Sequence, residues 1–283
     1  MNMEKKVKTH KFFDKNPVAG AVLLAIYGMI LVQVIVFFVD KAIPVEDVNN
    51  LIGAVVASLV VLLIHKCWFR PEFEGNLRGG RPAEGFGMLR IFVVFWVISL
   101  IVQVFFSDFE LGLPTLSTVS VSVAAGFTEE TAFRGLPLSM LMRKFAKGNR
   151  IYAALIITSV VFGLVHGLNV FVGANIGRTG IQMIGAGFMG LLLGAIYLRS
   201  GNLWPVIVIH TAHDIIAMLD VSNITDKGVI VGQTTWHTYF DLGLCVAMGI
   251  AGLYLVRKAK RAEIDEIWSR KWVIAEDGYG EQT

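Results

Sequence analysis

Apolar residues gather along this chain in eight long runs, separated by short polar or charged stretches. The runs are Ala19–Val39, Leu51–His65, Ile91–Phe106, Leu116–Met142, Ile151–Leu168, Gly180–Leu198, Leu203–Leu219 and Phe240–Val256. Each helical residue advances the chain by about 1.5 Å, so about 20 apolar residues carry a helix across the hydrocarbon layer of a bilayer. Some of the runs are shorter than this, and the fourth is longer and contains charges. The pattern predicts an all-α fold, a polytopic membrane helix bundle of about eight transmembrane helices.

Composition points the same way. Of the 283 residues, 55% are hydrophobic and 17% charged, against about 45–50% and about 25% in an ordinary soluble domain. The natural surroundings of such a chain are the lipid bilayer. A formal net charge of only +3 offers nucleic acid no particular attraction, and none is expected as a partner. The first apolar run is too long for a signal-peptide core and is followed by Asp40 and Lys41, not by a small-x-small cleavage site, so it is expected to stay as an anchor. Cys67 and Cys245 lie beside and inside apolar runs and read as isolated thiols, not as a disulfide framework or a zinc-thiolate site.

Cationic loops are retained in the cytoplasm during insertion. If both ends lie inside, every one of the 25 Lys and Arg except Lys41, Arg134, Arg178 and Lys227 falls on the cytoplasmic side. Adding or removing one helix would invert half of that distribution. The chain is therefore expected in the cell membrane with both termini cytoplasmic. The stretch Phe69–Met88, with Pro71, Pro82 and several glycines, reads as a cytoplasmic connector. The charged tail after Val256 is expected to form a helix along the membrane surface, with Trp268 and Trp272 at the lipid interface. Gly163 with Gly167, and Gly190 with Gly194, have the small-xxx-small spacing that lets helices approach closely. The chain divides into a three-span N-terminal region over 1–114, a core over 115–220, and an outer loop, last span and tail over 221–283.

An ionisable side chain at bilayer depth costs roughly 2.5–3.5 kcal/mol on insertion scales, so its presence needs a cause. The apolar runs hold Glu129, Glu130, Arg134, His166, His210, His213 and Asp214, confined to the fourth, fifth and seventh runs. The other five read as nearly free of charge. Glu130 and Arg134, four apart, share a helix face and can pair. That leaves Glu129, about 100° around the helix, to point elsewhere. His210 and Asp214 are also four apart, so Asp214 can orient the imidazole. His166 has Phe162 one turn before it. A buried carboxylate beside a histidine can hold and deprotonate water, and a second histidine can donate to a developing oxyanion. Equally, Glu129, His166 and His210 can bind zinc with an open water position. Both schemes lead to hydrolysis of a peptide or ester, and residue types do not choose between them.

The order of these residues is recognisable. Glu129-Glu130-Thr131-Ala132-Phe133-Arg134 is EExxxR, Phe162-Gly163-Leu164-Val165-His166 is FxxxH, and His210-Thr211-Ala212-His213-Asp214 is HxxxD. Together they resemble the CAAX protease and bacteriocin-processing (Abi) family of intramembrane proteases, over roughly residues 115–220. The resemblance implies that Glu129 and His166 activate the attacking water and that His210, with Asp214, stabilises the oxyanion. Glu130, Arg134 and Phe162 support them. The family is classed with the metalloproteases, and a glutamate-dependent route without a catalytic metal has also been described for it, so the cofactor stays open between zinc and none. Asp214 departs from the Asn of the eukaryotic members. An ionised Asp cannot donate to an oxyanion, and it must act protonated or through His210.

The expected activity is an endopeptidase cutting a membrane-associated peptide or protein. A short chain without long lumenal insertions suggests a bacterial enzyme, with a peptide pheromone, bacteriocin precursor or membrane regulator as substrate. A non-catalytic immunity or regulatory protein is the rival from another class. A proton-coupled transporter would use the same polar residues as a relay, but the chain shows no inverted repeat of the kind many transporters have.

Overall fold

The computed structural model describes residues 11–42, 46–69, 73–106, 110–145, 148–221, 224–225 and 229–272. The cationic segment before Lys11, together with Arg70, Lys147 and Lys227, lies outside them. A short helix α1 (Lys11–Lys15) leads into α2 (Pro17–Ala42), followed by α3 (Glu46–Ile64). Next come a short α4 (Pro82–Gly87) and α5 (Leu89–Phe106). The helix α6 (Leu116–Glu130) runs through a π-helical stretch, Thr131–Leu138, into α7 (Ser139–Phe145). Then follow α8 (Arg150–Val165), a 3-10 segment His166–Val172, α9 (Ile176–Ser200), α10 (Trp204–Ala217), α11 (Trp236–Leu255) and α12 (Arg261–Lys271). Each of the eight apolar runs falls on a helix, and among the described residues there is no β-strand, only isolated bridges such as Phe73 with Trp272.

Among the described residues, five stretches are long and apolar enough to cross a membrane: Pro17–Val39, Pro82–Phe106, Arg150–Val172, Ile176–Ser200 and Trp236–Leu255. Leu51–Cys67 and Trp204–Ala217 are apolar but shorter, and the α6–α7 rod carries Glu129, Glu130 and Arg134 in its middle. The π-helical stretch contains Pro137, which lacks an N–H and cannot continue an i→i−4 ladder. All eight of its residues are buried.

α9 is the axis of the bundle, with α8 and α11 packed along it. Both small-residue pairs serve the α8–α9 crossing. Gly163 lies against the Met183 carbonyl and Gly187, Gly167 against the Met183 side chain, Gly190 against Ser159 and Phe162, and Gly194 against Leu155. On the other side, α11 meets α9 at Gly252, directly over the backbone of Leu191 and Leu192.

One end of the bundle is closed by parts far apart in sequence. α9 ends where Gly201 takes φ +61 and its N–H bonds the Tyr197 carbonyl at 2.7 Å, a left-handed cap that suits glycine. The segment 73–81 lies against this turn. The Leu203 N–H donates to the Asn76 carbonyl at 2.9 Å, and the Asn202 amide to the Gly79 carbonyl at 3.0 Å. The buried Arg199 reaches Glu84 and, at 2.9 Å, Glu263. A hydrogen bond from Lys260 holds the Glu263 carboxyl below its usual range, and Arg199 adds to the effect. The Lys271 ammonium is buried and donates to the carbonyls of Gly75 and Arg78, each at 2.7 Å. Burial pushes its pKa down, and Glu74 works against that.

One expectation needs correction. Trp268 and Trp272 do not face a lipid interface. They are 1% and 2% exposed, and their indole N–H groups donate inward to the carbonyls of Leu198 (3.0 Å) and Ser139 (3.2 Å). The segment 73–81 packs into the protein: Phe73, 0% exposed, lies on Trp272 with rings 4.6 Å apart. Cys67 and Cys245 are free thiols, as expected.

A methyl group at Gly252 would meet the Leu191 carbonyl oxygen at 2.6 Å and the Leu192 nitrogen at 2.7 Å, and neither atom can swing aside. Gly252→Ala is expected to destabilise the detergent-solubilised protein by about 1–3 kcal/mol, read as a lowered Tm. Gly243→Ala on the same helix meets nothing within 4 Å and should be neutral or slightly stabilising.

Candidate active site

The polar residues singled out above come together from three helices. Glu129 and Glu130 close α6, Arg134 lies one turn on in the π-helical stretch, His166 opens the 3-10 segment that follows α8, and His210 and Asp214 are on α10. His166 comes late on its helix and His210 midway along its own, which by simple counting places them at different depths. The structure removes the conflict by starting α10 from a buried turn. Ser200 and Leu203 are 0% exposed beneath segment 73–81, so α10 begins inside the protein.

The innermost layer is an ionic knot around Glu130. Its Oε1 accepts from the Arg134 guanidinium at 2.7 Å and from His210 Nδ1 at 2.7 Å. The Glu130 and Arg134 side chains are 0% and 2% exposed. The guanidinium also lies 4.2 Å from the centre of the Phe162 ring, a cation–π contact, and Phe162 turns its edges toward His166 and His210 at 4.8 and 5.9 Å. Phe162 thus packs against the cation and both imidazoles at once.

The outer layer is arranged around Glu129. His166 Nδ1 donates to the Phe162 carbonyl at 2.9 Å, because a carbonyl can only accept. Both imidazoles are therefore tied down at Nδ1 and present Nε2 toward Glu129. Glu129 Oε2 stands 3.9 Å from His166 Nε2 and 3.8 Å from His210 Nε2. These gaps exceed a hydrogen bond, and among the described residues this oxygen has no hydrogen-bond partner. Asp214 Oδ2 lies 3.6 Å from His210 Nε2. The immediate partner of His210 is thus Glu130 from another helix, not Asp214 at the expected four-residue spacing. Exposure is graded across the layers: the Glu129 and Asp214 side chains are 30% and 26% exposed and His166 15%, against 3% for His210. The two carboxylates mark the accessible mouth of the site.

Glu129, His166 and His210 were the candidate zinc ligands. Around a tetrahedral zinc, ligand atoms about 2.0–2.1 Å from the metal stand roughly 3.3 Å from one another. The gaps at Glu129 are wider, and among the described residues no group of three or more His, Cys, Asp and Glu is arranged to hold a metal ion. The donors as placed do not fit zinc, and no step below runs through one.

Two polar features were missed in the sequence. His213 was noticed but given no role, yet its Nδ1 accepts from the Trp96 indole at 3.0 Å. The eighth run is not free of charge either: Asp241 accepts from Ser99 at 2.7 Å and ties α11 to α5. A lone Asp at the start of an apolar run was the available signal.

Residues 111–216 match the family model of the type II CAAX prenyl endopeptidase, Rce1-like. All three motifs fall inside that stretch, and the match is to the same CAAX protease family that their order resembles. Together with the apolar helices it supports a membrane-embedded protease, a hydrolase. Comparison with curated proteins finds no match.

Glu130→Gln would leave the Arg134 guanidinium buried without its counter-charge. Breaking a buried pair from one side costs about 3–5 kcal/mol, so Glu130→Gln and Arg134→Gln should each lower Tm sharply. The double variant is expected to recover part of the loss, because no uncompensated charge remains. Additive losses in the double-mutant cycle would contradict the pairing.

Proposed function

We propose that this protein is an intramembrane endopeptidase that hydrolyses peptide bonds of membrane-associated peptides or proteins, with Glu129 and His166 activating the water. The observation that carries this reading is the placement of Glu129 Oε2, without a donor among the described residues, between two imidazole nitrogens at 3.9 and 3.8 Å. A water held there loses a proton to Glu129, with His166 Nε2 as the second acceptor. Its oxygen bonds to the scissile carbonyl carbon, and the carbonyl π electrons move onto the oxygen. His210 stabilises that oxyanion. Its Nδ1–H is held by Glu130, so a donating Nε2–H makes it an imidazolium, with Glu129 Oε2 at 3.8 Å and Asp214 Oδ2 at 3.6 Å from that nitrogen. The C–N bond then breaks, and the proton taken from water passes to the leaving amine. Asp214 acts through His210 at the mouth and need not donate.

The matched family is named for prenylated CAAX substrates. For this chain we propose the broader class of membrane-associated peptides, with prenylation left as an experimental variable. We further propose that residues 115–220 form the catalytic core, and that eight helices cross the cell membrane with both termini cytoplasmic.

The test uses purified protein in liposomes with an internally quenched peptide, in a farnesylated form ending in a CAAX box and in an unprenylated form. Cleavage of at least one is expected. Glu129→Gln, His166→Ala and His210→Ala should each lose about 100-fold or more, the usual reach of acid–base and oxyanion groups, while staying folded. Asp214→Asn should lose less than about tenfold, because an amide can hold His210 without a charge, whereas Asp214→Ala should lose more. Retained cleavage in all three of the first variants would sink the catalytic reading.

Topology has its own check. Reporter fusions after Lys15, Asp40, Arg81 and Lys260 should read in, out, in and in. An outward signal at either end overturns the eight-span arrangement.

A further inference from the structure

α5 is the most lightly packed of the long apolar helices. Phe92 is its one buried side chain, and its window is 6% buried against 61% for α9. Yet it makes a directed polar contact with the site. Trp96 Nε1 donates to His213 Nδ1 at 3.0 Å, and the two rings stack at 27° with centroids 6.3 Å apart. Phe92 sets its ring at 70° to the same imidazole.

An indole nitrogen can only donate, so His213 Nδ1 must be the acceptor and cannot carry a proton. That one bond makes His213 the neutral tautomer with its hydrogen on Nε2. Across the ring from Trp96, this N–H has no hydrogen-bond partner among the described residues. His213 follows His210 by three residues, a spacing that puts both on one face of α10, and it is the immediate neighbour of Asp214. The site therefore holds a third imidazole, uncharged and with one free donor, about 4.5 Å along the helix axis from the second.

We propose that His213 is a substrate-binding residue of the site, donating from Nε2 to a main-chain carbonyl of the bound peptide close to the scissile bond, and that Trp96 is the positioning residue that fixes its tautomer. An extended peptide advances about 3.3–3.6 Å per residue and its carbonyls alternate in direction, so a chain with its scissile carbonyl at His210 brings the carbonyl two residues away, facing the same side at about 7 Å, toward His213. A neutral donor suits a peptide carbonyl, which recurs at every residue whatever the side chain. The contact helps the enzyme grip backbone without demanding a sequence. Trp96 lies outside residues 111–216, so α5 completes a site whose reacting groups are all inside that stretch.

The inference rests on the protease reading, and the test separates the two. With the quenched peptides above, His213→Leu should raise KM about tenfold, near the effect of one hydrogen bond, with kcat within about twofold, the signature of lost uniform binding. His213→Gln carries an amide donor of similar reach and should recover most of that loss. Trp96→Phe keeps the ring but frees the tautomer and should raise KM about threefold. Nitrogen-15 NMR of imidazole-labelled protein should find His213 protonated at Nε2 and bare at Nδ1 in the wild type. A proton on Nδ1 there would overturn the proposal, whatever the activity. So would an unchanged KM in His213→Leu, or a fall in kcat that Gln does not relieve. Wild-type protein that cleaves neither peptide would instead overturn the protease reading, and this one with it.

Discussion

A carboxylate sealed inside a membrane bundle must be neutralised on every side, and Glu130 meets that demand by accepting from two helices at once. Arg134 satisfies it from the same helix and His210 from α10. The π-helical stretch that follows Glu130 carries the guanidinium into a fully buried position, where the Phe162 ring covers its face. Remove the carboxylate and three things lose their reason to be where they are: a buried cation, an imidazole orientation and the packing of α6 on α10. The arrangement of the proposed site is in this sense a by-product of solving a charge problem at depth.

That knot explains the division of labour between adjacent glutamates. Consecutive residues on a helix point about 100° apart, so Glu129 faces the mouth while Glu130 faces the core. One is locked by ion pairs. The other is left with an oxygen that no group among the described residues claims. Rigid support beneath an unclaimed acceptor is what a general base needs, since the same group must be fixed in place and free to take a proton.

The helices were legible in the sequence because lipid penalises every polar side chain placed in it, so apolar runs and helices coincide closely. The site was legible for the complementary reason: seven ionisable residues in apolar runs stood out by their scarcity. What could not be read was any partner from a distant helix. Spacing along one helix offered Asp214 as the companion of His210, yet Glu130, 80 residues earlier, holds it more closely. The tail misled in a similar way. Trp268 and Trp272 beside many charges have the composition of an interfacial helix. That composition says nothing about the carbonyls of Leu198 and Ser139 that receive their indoles. Asp241 escaped notice because an acid at the edge of a run reads as part of the flanking loop, and its Ser99 partner is on α5, 142 residues away.

The closure between segment 73–81 and α12 bears on how the molecule is made. Lys271 reaches back 196 residues to the Gly75 carbonyl, and Trp272 covers Phe73. Helices inserted one after another during synthesis can pair with their neighbours as they emerge, but this joint waits for nearly the whole described chain. Until then the turn from which α10 starts lacks its cover, and so does the foundation on which His210 is set. Assembly of the proposed site is thereby placed late in biogenesis, and under the protease reading a nascent chain stays inactive until α12 has docked.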